Sequence, residues 1–390
     1  MLHKKLWASV AALAALALAP YALAQEAYTV GLSGTMTGPN ADTYAPGIES
    51  LKLYIDQLNK NGGVGGKQVR LVISDNQGEP SRAAADAKKF ITQDNAILLV
   101  NVGPSSTYGP MVGEGRRSRV PILFAGAACP GEVLPPNADE LQFCSIAAGM
   151  KYDAEMALGY IKAQSSDAVR MGLVAMAIPL SRAGIDYAES IAKNFNITPV
   201  QKEMIAPGTP DYTPFASKLK AAEPNWIYAW APWVTQIKTF ESLRRLGWSG
   251  KYIAAALNPA ESELARVKDE SFYVFGANAM FVDNLPVHQE IRDAARKANV
   301  TYPVTQMAEG WVHGMVIEEA LKNAGWPATA DKVLAAMSVL KVDTRGLRGG
   351  PIEWNKTNHF RTKQYYRVYS WDSKTQMVKR AKDWVTVDVK

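Results

Sequence analysis

The chain has 390 residues, 47% of them hydrophobic, with 43 Lys and Arg against 37 Asp and Glu for a net charge of +6. A length beyond the ~250–300 residues at which single cores stop growing makes two domains the expectation. The positive excess is spread out, with no basic run or aromatic-basic repeat to support nucleic-acid binding, and two cysteines with four separated histidines argue against a metal cluster.

His3, Lys4 and Lys5 precede an apolar stretch from Leu6 to Ala19, and small residues at Ala22, Leu23 and Ala24 come just before Gln25. That is the pattern of a secretory signal peptide cleaved after Ala24, and its apolar part is shorter than the ~20 residues that span a bilayer. Gln25, where a lipid-modified signal would place Cys, points away from a lipid anchor and toward free diffusion in a periplasm.

Short β-rich runs then alternate with helical stretches. Tyr28 to Leu32 reads as a strand and Gly47 to Asn61 as a helix, followed by Val69 to Ser74 and Ser81 to Gln93, Ala96 to Val100 and Ser106 to Arg117, and Val120 to Phe124. The pattern restarts with a helix from Tyr152 to Lys162, a strand from Arg170 to Ala175 and a helix from Arg182 to Asn194, and the alternation continues to a strand from Phe272 to Phe275. Alternation at this spacing means βαβ units with parallel sheets covered by helices. Further helices are expected around Gln289 to Lys297 and from Val304 to Asn323, and the chain closes with a hairpin, Tyr365 to Trp371 and Val378 to Val389, turning at Asp372 and Ser373. Cys129 and Cys144 lie in one Pro- and Gly-bearing segment; in an oxidising compartment a local disulfide is the default, and a pair of buried free thiols is the alternative.

Four collinear segments resemble the type I periplasmic binding proteins of the branched-chain amino acid transporter family: Gly31-Leu-Ser-Gly-Thr-Met-Thr-Gly-Pro39 with Asn59-Lys-Asn-Gly-Gly-Val-Gly-Gly-Lys67; Val72-Ile-Ser-Asp75 with Glu79-Pro80; Asp211-Tyr-Thr-Pro-Phe215; and Ala308-Glu-Gly-Trp311 leading to Gly325. The resemblance implies an α/β fold of two Rossmann-like lobes with parallel-rich sheets and three interlobe crossovers. Lobe one is expected at 25–149 plus 280–350, and lobe two at 150–279 plus 351–390. It also implies a monomer that closes on a small molecule by a hinge and hands it to an ABC transporter permease, with no cofactor.

Ligands of open parallel sheets sit beyond the carboxyl ends of the strands. That rule selects Ser105, Ser106, Thr107 and Tyr108, where a helix start offers hydroxyls and free N–H groups to an anion or merely caps itself. The loop Ala125 to Ala128, with Gly126, resembles the family's second binding loop, but Ala128 stands where the family carries Thr. In lobe two the family's acidic partner for a substrate ammonium is replaced within Ala254-Ala-Ala-Leu-Asn258, and a binding Tyr is replaced near Ala183. Tyr44, Tyr108, Phe124, Trp230, Trp233 and Trp311 are expected around the cleft, with core packing the competing role for each tryptophan. Arg182 is either a second-lobe charge for the ligand or a solvated surface residue. Together these point to an aromatic or apolar carboxylate, since a buried unpaired ammonium would cost several kcal/mol.

An enzyme is disfavoured: there is no Gly-x-Ser-x-Gly elbow, Walker loop or His-Glu-x-x-His pair, and Gly62 to Gly66 follows a helix rather than joining strand to helix. The alternatives kept open are branched-chain amino acid, amide or urea binding on the same fold, or a ligand sensor feeding a membrane receptor.

Overall fold

The computed structural model describes residues 27–257 and 259–390; the expected signal peptide, its cleavage site and the candidate ligand residue Asn258 lie outside the described residues. Lobe one opens with β1 (Ala27–Gly34), α1 (Ala41–Lys60), β2 (Gln68–Asp75), α2 (Pro80–Thr92), β3 (Leu98–Val102), α3 (Tyr108–Ser118), β4 (Ile122–Phe124) and β5 (Gln142–Cys144). Lobe two holds α4 (Met150–Ala163), β6 (Val169–Met176), α5 (Pro179–Ile191), β7 (Ile197–Ile205), α6 (Thr213–Ala221), β8 (Trp226–Ala229), α7 (Trp233–Arg245), β9 (Lys251–Ala255), α8 (Ala260–Val267) and β10 (Phe272–Gly276). The chain returns to lobe one through α9 (Pro286–Lys297), α10 (Ala308–Ala324), α11 (Ala330–Met337), β11 (Lys341–Val342) and β12 (Ile352–Glu353), then ends in lobe two with β13 (Lys363–Asp372) and β14 (Met377–Asp388).

The first sheet is parallel throughout, in the order β2-β1-β3-β4-β5. The second runs β14-β13-β10-β9-β8-β6-β7, parallel from β10 to β7 and antiparallel through the closing hairpin. Local sequence explains the layering. Strand β1 is buried at every residue after its first, as a central strand covered by helices on both faces must be. Helix α2 starts at Pro80, where a missing N–H costs nothing, and turns Ala83, Ala87 and Phe90 to one buried face. Gly31 on β1 admits that face, since a Cβ there would lie 2.5 Å from the Phe90 ring. Helices α1 and α10, distant in sequence, approach closely at two further glycines: a Cβ on Gly310 would sit 2.1 Å from the Gly47 carbonyl oxygen.

Three crossovers join the lobes, and buried side chains fix the first of them. Along 145–149 the Ser145 carbonyl accepts from Arg348 at 2.8 Å, the Ile146 carbonyl accepts from Arg361, and the Ala147 amide donates to Glu309 at 2.8 Å. The Ala147 carbonyl takes the Gln364 amide at 2.6 Å, and the Gly149 amide donates to Asp153 at 3.0 Å. The partners Arg348 and Glu309 come from the lobe-one return, Arg361 and Gln364 from the third crossover and its strand, and Asp153 from α4. The second crossover joins the same network, because Asn278 donates to Glu309. Cys129 and Cys144 are disulfide-bonded, tying the loop after β4 to the end of β5 and removing the free-thiol alternative.

Several elements differ from expectation. Helix α1 begins at Ala41 rather than Gly47 because it accommodates Pro46 in its second turn, where one backbone bond is forfeited. Helix α10 begins at Ala308, since Val304–Gln306 forms a separate single turn. The closing hairpin turns over 373–376, with the expected Ser373 in the turn but Asp372 still in the strand, paired with Met377. Ile352 pairs with β11, and Trp354 packs in the lobe-one core with Phe143, so the third crossover falls beyond the expected boundary at 350. Among the described residues, no helix is long and apolar enough to cross a membrane.

Candidate functional site

In each sheet the strand order reverses at one place, between β1 and β3 in the first and between β6 and β8 in the second. The loops leaving the carboxyl ends of strands at such a switch diverge to opposite faces and open a crevice. Here the two crevices face one another across the cleft. The loops after β3 and β4 contribute Ser105, Ala127 and Ala128, α1 contributes Tyr44, the loop after β6 contributes Ile178, the first turn of α5 contributes Leu180 and Ser181, and the residue after β8 is Trp230. Together they line one chamber in the cleft. The lobes also touch directly, the Leu180 amide donating to Ser105 Oγ at 3.2 Å, which leaves the Ser105 hydroxyl proton for another acceptor.

Trp230 is held rigidly as the lobe-two wall. Its indole N–H donates to Asp153 at 2.9 Å, its carbonyl accepts from the Ser181 hydroxyl at 2.6 Å, and Gly184 lets α5 approach so closely that a Cβ there would meet the ring at 2.5 Å. Asp153 also accepts from the Tyr366 hydroxyl at 2.6 Å, and burial pushes its carboxyl up to about 6 against these bonds. Tyr44 is buried, and burial raises its phenol, so it presents a neutral ring and hydroxyl at neutral pH.

A second chamber adjoins the first across Tyr44, Ala148 and Leu257. Gly126, Asn278, Glu309 and His313 line it. The Glu309 carboxylate is spent on Arg348 at 3.0 and 3.1 Å, on the Ala147 amide and on Asn278. Burial drives its carboxyl upward, but Arg348 and the other partners more than offset this and hold it below the usual range. Burial pulls His313 down to about 4, so its ring is neutral, with Nδ1 bonded to Ser145 Oγ at 2.7 Å.

The sequence-selected residues divide accordingly. Tyr44, Ser105, Ala128 and Trp230 line the first chamber, and Tyr44 and Gly126 line the second. Ser106 is half-buried beside them, outside both linings. Thr107 turns inward, its hydroxyl donating to the Pro104 carbonyl at 2.8 Å and accepting from Asn101 at 3.0 Å. Tyr108 stacks on Phe124 at 4.3 Å and spends its hydroxyl on the 125–128 loop, donating to the Ala128 carbonyl and accepting from the Ala127 amide at 3.1 Å each. It braces the loop and lines neither chamber.

Arg182 is exposed on α5 and belongs to neither chamber, because it sits one residue past the inward-facing Ser181. Trp233 packs in the lobe-two core, its ring 6.1 Å from Phe272, and Trp311 packs in the lobe-one core edge-on to Tyr54 at 5.1 Å. The core roles weighed against ligand contact are the ones these two tryptophans occupy. Missed residues are Ile178, Leu180 and Ser181, whose signal was the switch-strand end at Met176, Asn278, whose signal was the end of β10 at Gly276, and Glu309 and His313, which sit on helix α10 with no strand-end signal. Among the described residues no three His, Cys, Asp or Glu side chains group as metal ligands.

The sequence matches the periplasmic binding protein family over residues 27–376. A curated relative, the Leu/Ile/Val-binding protein BraC3 of Rhizobium johnstonii, is 26% identical over 216 residues, 55% of this chain and 57% of that protein, so the match spans little more than half of the relative. A branched-chain amino acid ABC transporter structure from Thermus thermophilus with bound valine superposes with a TM-score of 0.80 at 16% identity, covering 93% of this chain and 97% of the other. A solute-binding protein of an ABC transporter from Rhodopseudomonas palustris BisB5, in complex with 3,4-dihydroxybenzoic acid, gives 0.78 at 16% identity over 93% and 98%. With its two doubly wound lobes and the cleft between their switch points, the chain belongs to the periplasmic binding protein family, in the type I fold of the branched-chain amino acid transporter members.

Proposed function

We propose that this protein is the solute-capturing component of an ABC importer, free in the periplasm after cleavage behind Ala24, and that its ligand is a small aromatic or apolar carboxylate. The observation that carries the ligand class is the first chamber: Tyr44, Trp230, Ile178, Leu180 and Leu257 form apolar walls, and no Asp, Glu, Lys or Arg is among the residues lining it. An aromatic ring gains its burial there against Trp230 and Tyr44. Its carboxylate meets the Ser105 hydroxyl and the backbone N–H groups of Ser105 and Ala128. These amides have no hydrogen-bond partner among the described residues. The dihydroxybenzoate complex on the same fold supports this reading.

Lobe one is taken as 25–149 with the return from 280 to beyond Trp354, and lobe two as the remainder. Ligand contacts from both lobes favour the closed arrangement, and the closed form is what a permease would read. A pocket lined by one chain supports the monomeric action we propose.

Branched-chain amino acid binding is the second reading, favoured by the name of the 26%-identical relative and the valine-bound neighbour. It requires an ammonium partner, yet Ala256 stands where the family's acidic residue is expected, and Glu309 is already committed to Arg348. Thermal-shift and calorimetric titration of ligand-stripped mature protein with benzoate, 4-hydroxybenzoate, leucine and valine tests the proposal. A true ligand at a hundredfold excess over its Kd adds about 2.7 kcal/mol of apparent stability. Response to the benzoates alone is expected, and response to leucine or valine alone overturns it.

A further inference from the structure

The second chamber contributes a hydrogen-bonding pair that the carboxylate-and-ring reading leaves unused. Nε2 of His313 and Oδ1 of Asn278 are both buried and both belong to residues lining this chamber; neither makes a hydrogen bond among the described residues, Nε2 standing 3.8 Å from Glu309 Oε1, beyond bonding distance. His313 as a whole is 1% exposed. The assignment of Asn278 is fixed by its neighbour: its Nδ2 donates to the Glu309 carboxylate, so Oδ1 is the atom left over, and it can only accept. The His313 ring is neutral, with Nδ1 on Ser145 Oγ, so Nε2 either donates or accepts according to which of those two atoms carries the shared proton.

The surrounding charge is closed. Glu309 is matched by Arg348, and Lys and Arg are absent from the lining. An ammonium or a second carboxylate entering the chamber would therefore find no free counter-charge, and a methyl group would leave both buried atoms unmatched. The group that suits them is neutral and both gives and takes a hydrogen bond. A hydroxyl does so in either His313 tautomer, donating to Asn278 Oδ1 while accepting from Nε2–H, or donating to Nε2 itself.

We propose that the two chambers form one bipartite site for a hydroxylated aromatic acid, its carboxylate in the first chamber and a ring hydroxyl in the second, with His313 and Asn278 as the specificity-determining pair. This rests on the aromatic-acid reading above and names the ligand class within it. Tyr44, Ala148 and Leu257, shared by both chambers, are where the ring would pass from one to the other.

Isothermal titration with 3-hydroxy-, 4-hydroxy- and 4-methylbenzoate and with terephthalate tests it on the wild-type protein. The better hydroxy acid is expected to bind at least about tenfold tighter than the methyl analogue of like size, because the latter strands two buried polar atoms. Terephthalate is expected to bind more weakly than either hydroxy acid. In His313→Phe the hydroxyl-to-methyl affinity ratio is expected to fall to about twofold or less, and in His313→Gln, which keeps a donor and an acceptor, to be largely retained. Equal or tighter binding of 4-methylbenzoate to the wild type overturns the bipartite site while leaving the aromatic-acid reading intact. Failure of all four acids beside a valine response removes the aromatic-acid reading itself.

Discussion

Arg348→Met isolates the buried pair that anchors the crossovers. The Arg348 side chain is 2% exposed, lies 3.0 and 3.1 Å from the two Glu309 oxygens, and donates to the Ser145 carbonyl at 2.8 Å. Methionine fills comparable space without charge, so the substitution leaves Glu309 buried with only the Ala147 amide and Asn278 to stabilise it. Breaking one side of a buried pair costs about 3–5 kcal/mol, mostly from the stranded partner rather than from the bond itself. Adding Glu309→Gln removes that stranded charge while keeping an acceptor for the Ala147 amide, and the double variant is expected to recover about 2 kcal/mol of the loss. Urea unfolding followed by tryptophan fluorescence and far-ultraviolet circular dichroism, with coincident transitions, measures the four corners of the cycle. If the two single costs simply add in the double variant, the carboxylate was never left uncompensated and the reasoning fails.

Replacing Cys129 and Cys144 by alanine opens a bond of sequence separation 15. The chain-entropy argument for a loop of that size predicts a loss of about 3 kcal/mol, read by calorimetric unfolding with and without reductant. Arg182→Ala, an exposed change outside both chambers, is expected to move ligand affinity by less than twofold in titration calorimetry; a tenfold loss would return it to the site. His313 titrates at about 4 when folded against 6.5 when unfolded, so the unfolded chain takes the proton first as the pH falls. Stability contributed by the neutral ring is present above pH 6.5 and is lost between about 6.5 and 4, by about 3 kcal/mol in all. His313→Gln is expected to lack that acid-side loss, and identical stability–pH curves for the two proteins would contradict it.

The βαβ alternation was legible because buried parallel strands such as β1 and β6 are short runs rich in apolar residues bounded by turn residues, and helices such as α2 repeat apolar residues on one face. Elements of two or three residues, β5, β11 and β12, carry no such pattern and are held by tertiary pairing instead. In the site, strand-end logic found Ser105, Ala128 and Trp230 but could not tell Trp230 from Trp233. The two lie three residues apart, and only the fold decides that the first stands at the cleft while the second turns into the core. Glu309 and His313 were out of reach for a different reason. They lie on one buried helix, where a charged residue and a histidine one turn apart read as an ordinary helical pair until Arg348 and the first crossover are brought beside them.

The first chamber is walled in large part by alanine: Ala127, Ala128, Ala148, Ala231 and Ala255 come from three loops and the end of β9. A wall of methyl groups makes the shape of the site a matter of omitted atoms, with the backbone itself close to whatever enters. Enlarging any one of these side chains by a methyl or a hydroxyl redraws the contour at a single point, and each sits in a loop or at a strand's end rather than in the interior of a sheet. Selectivity in such a cleft can drift in small independent steps while the lobes, their switch points and their crossovers stay as they are.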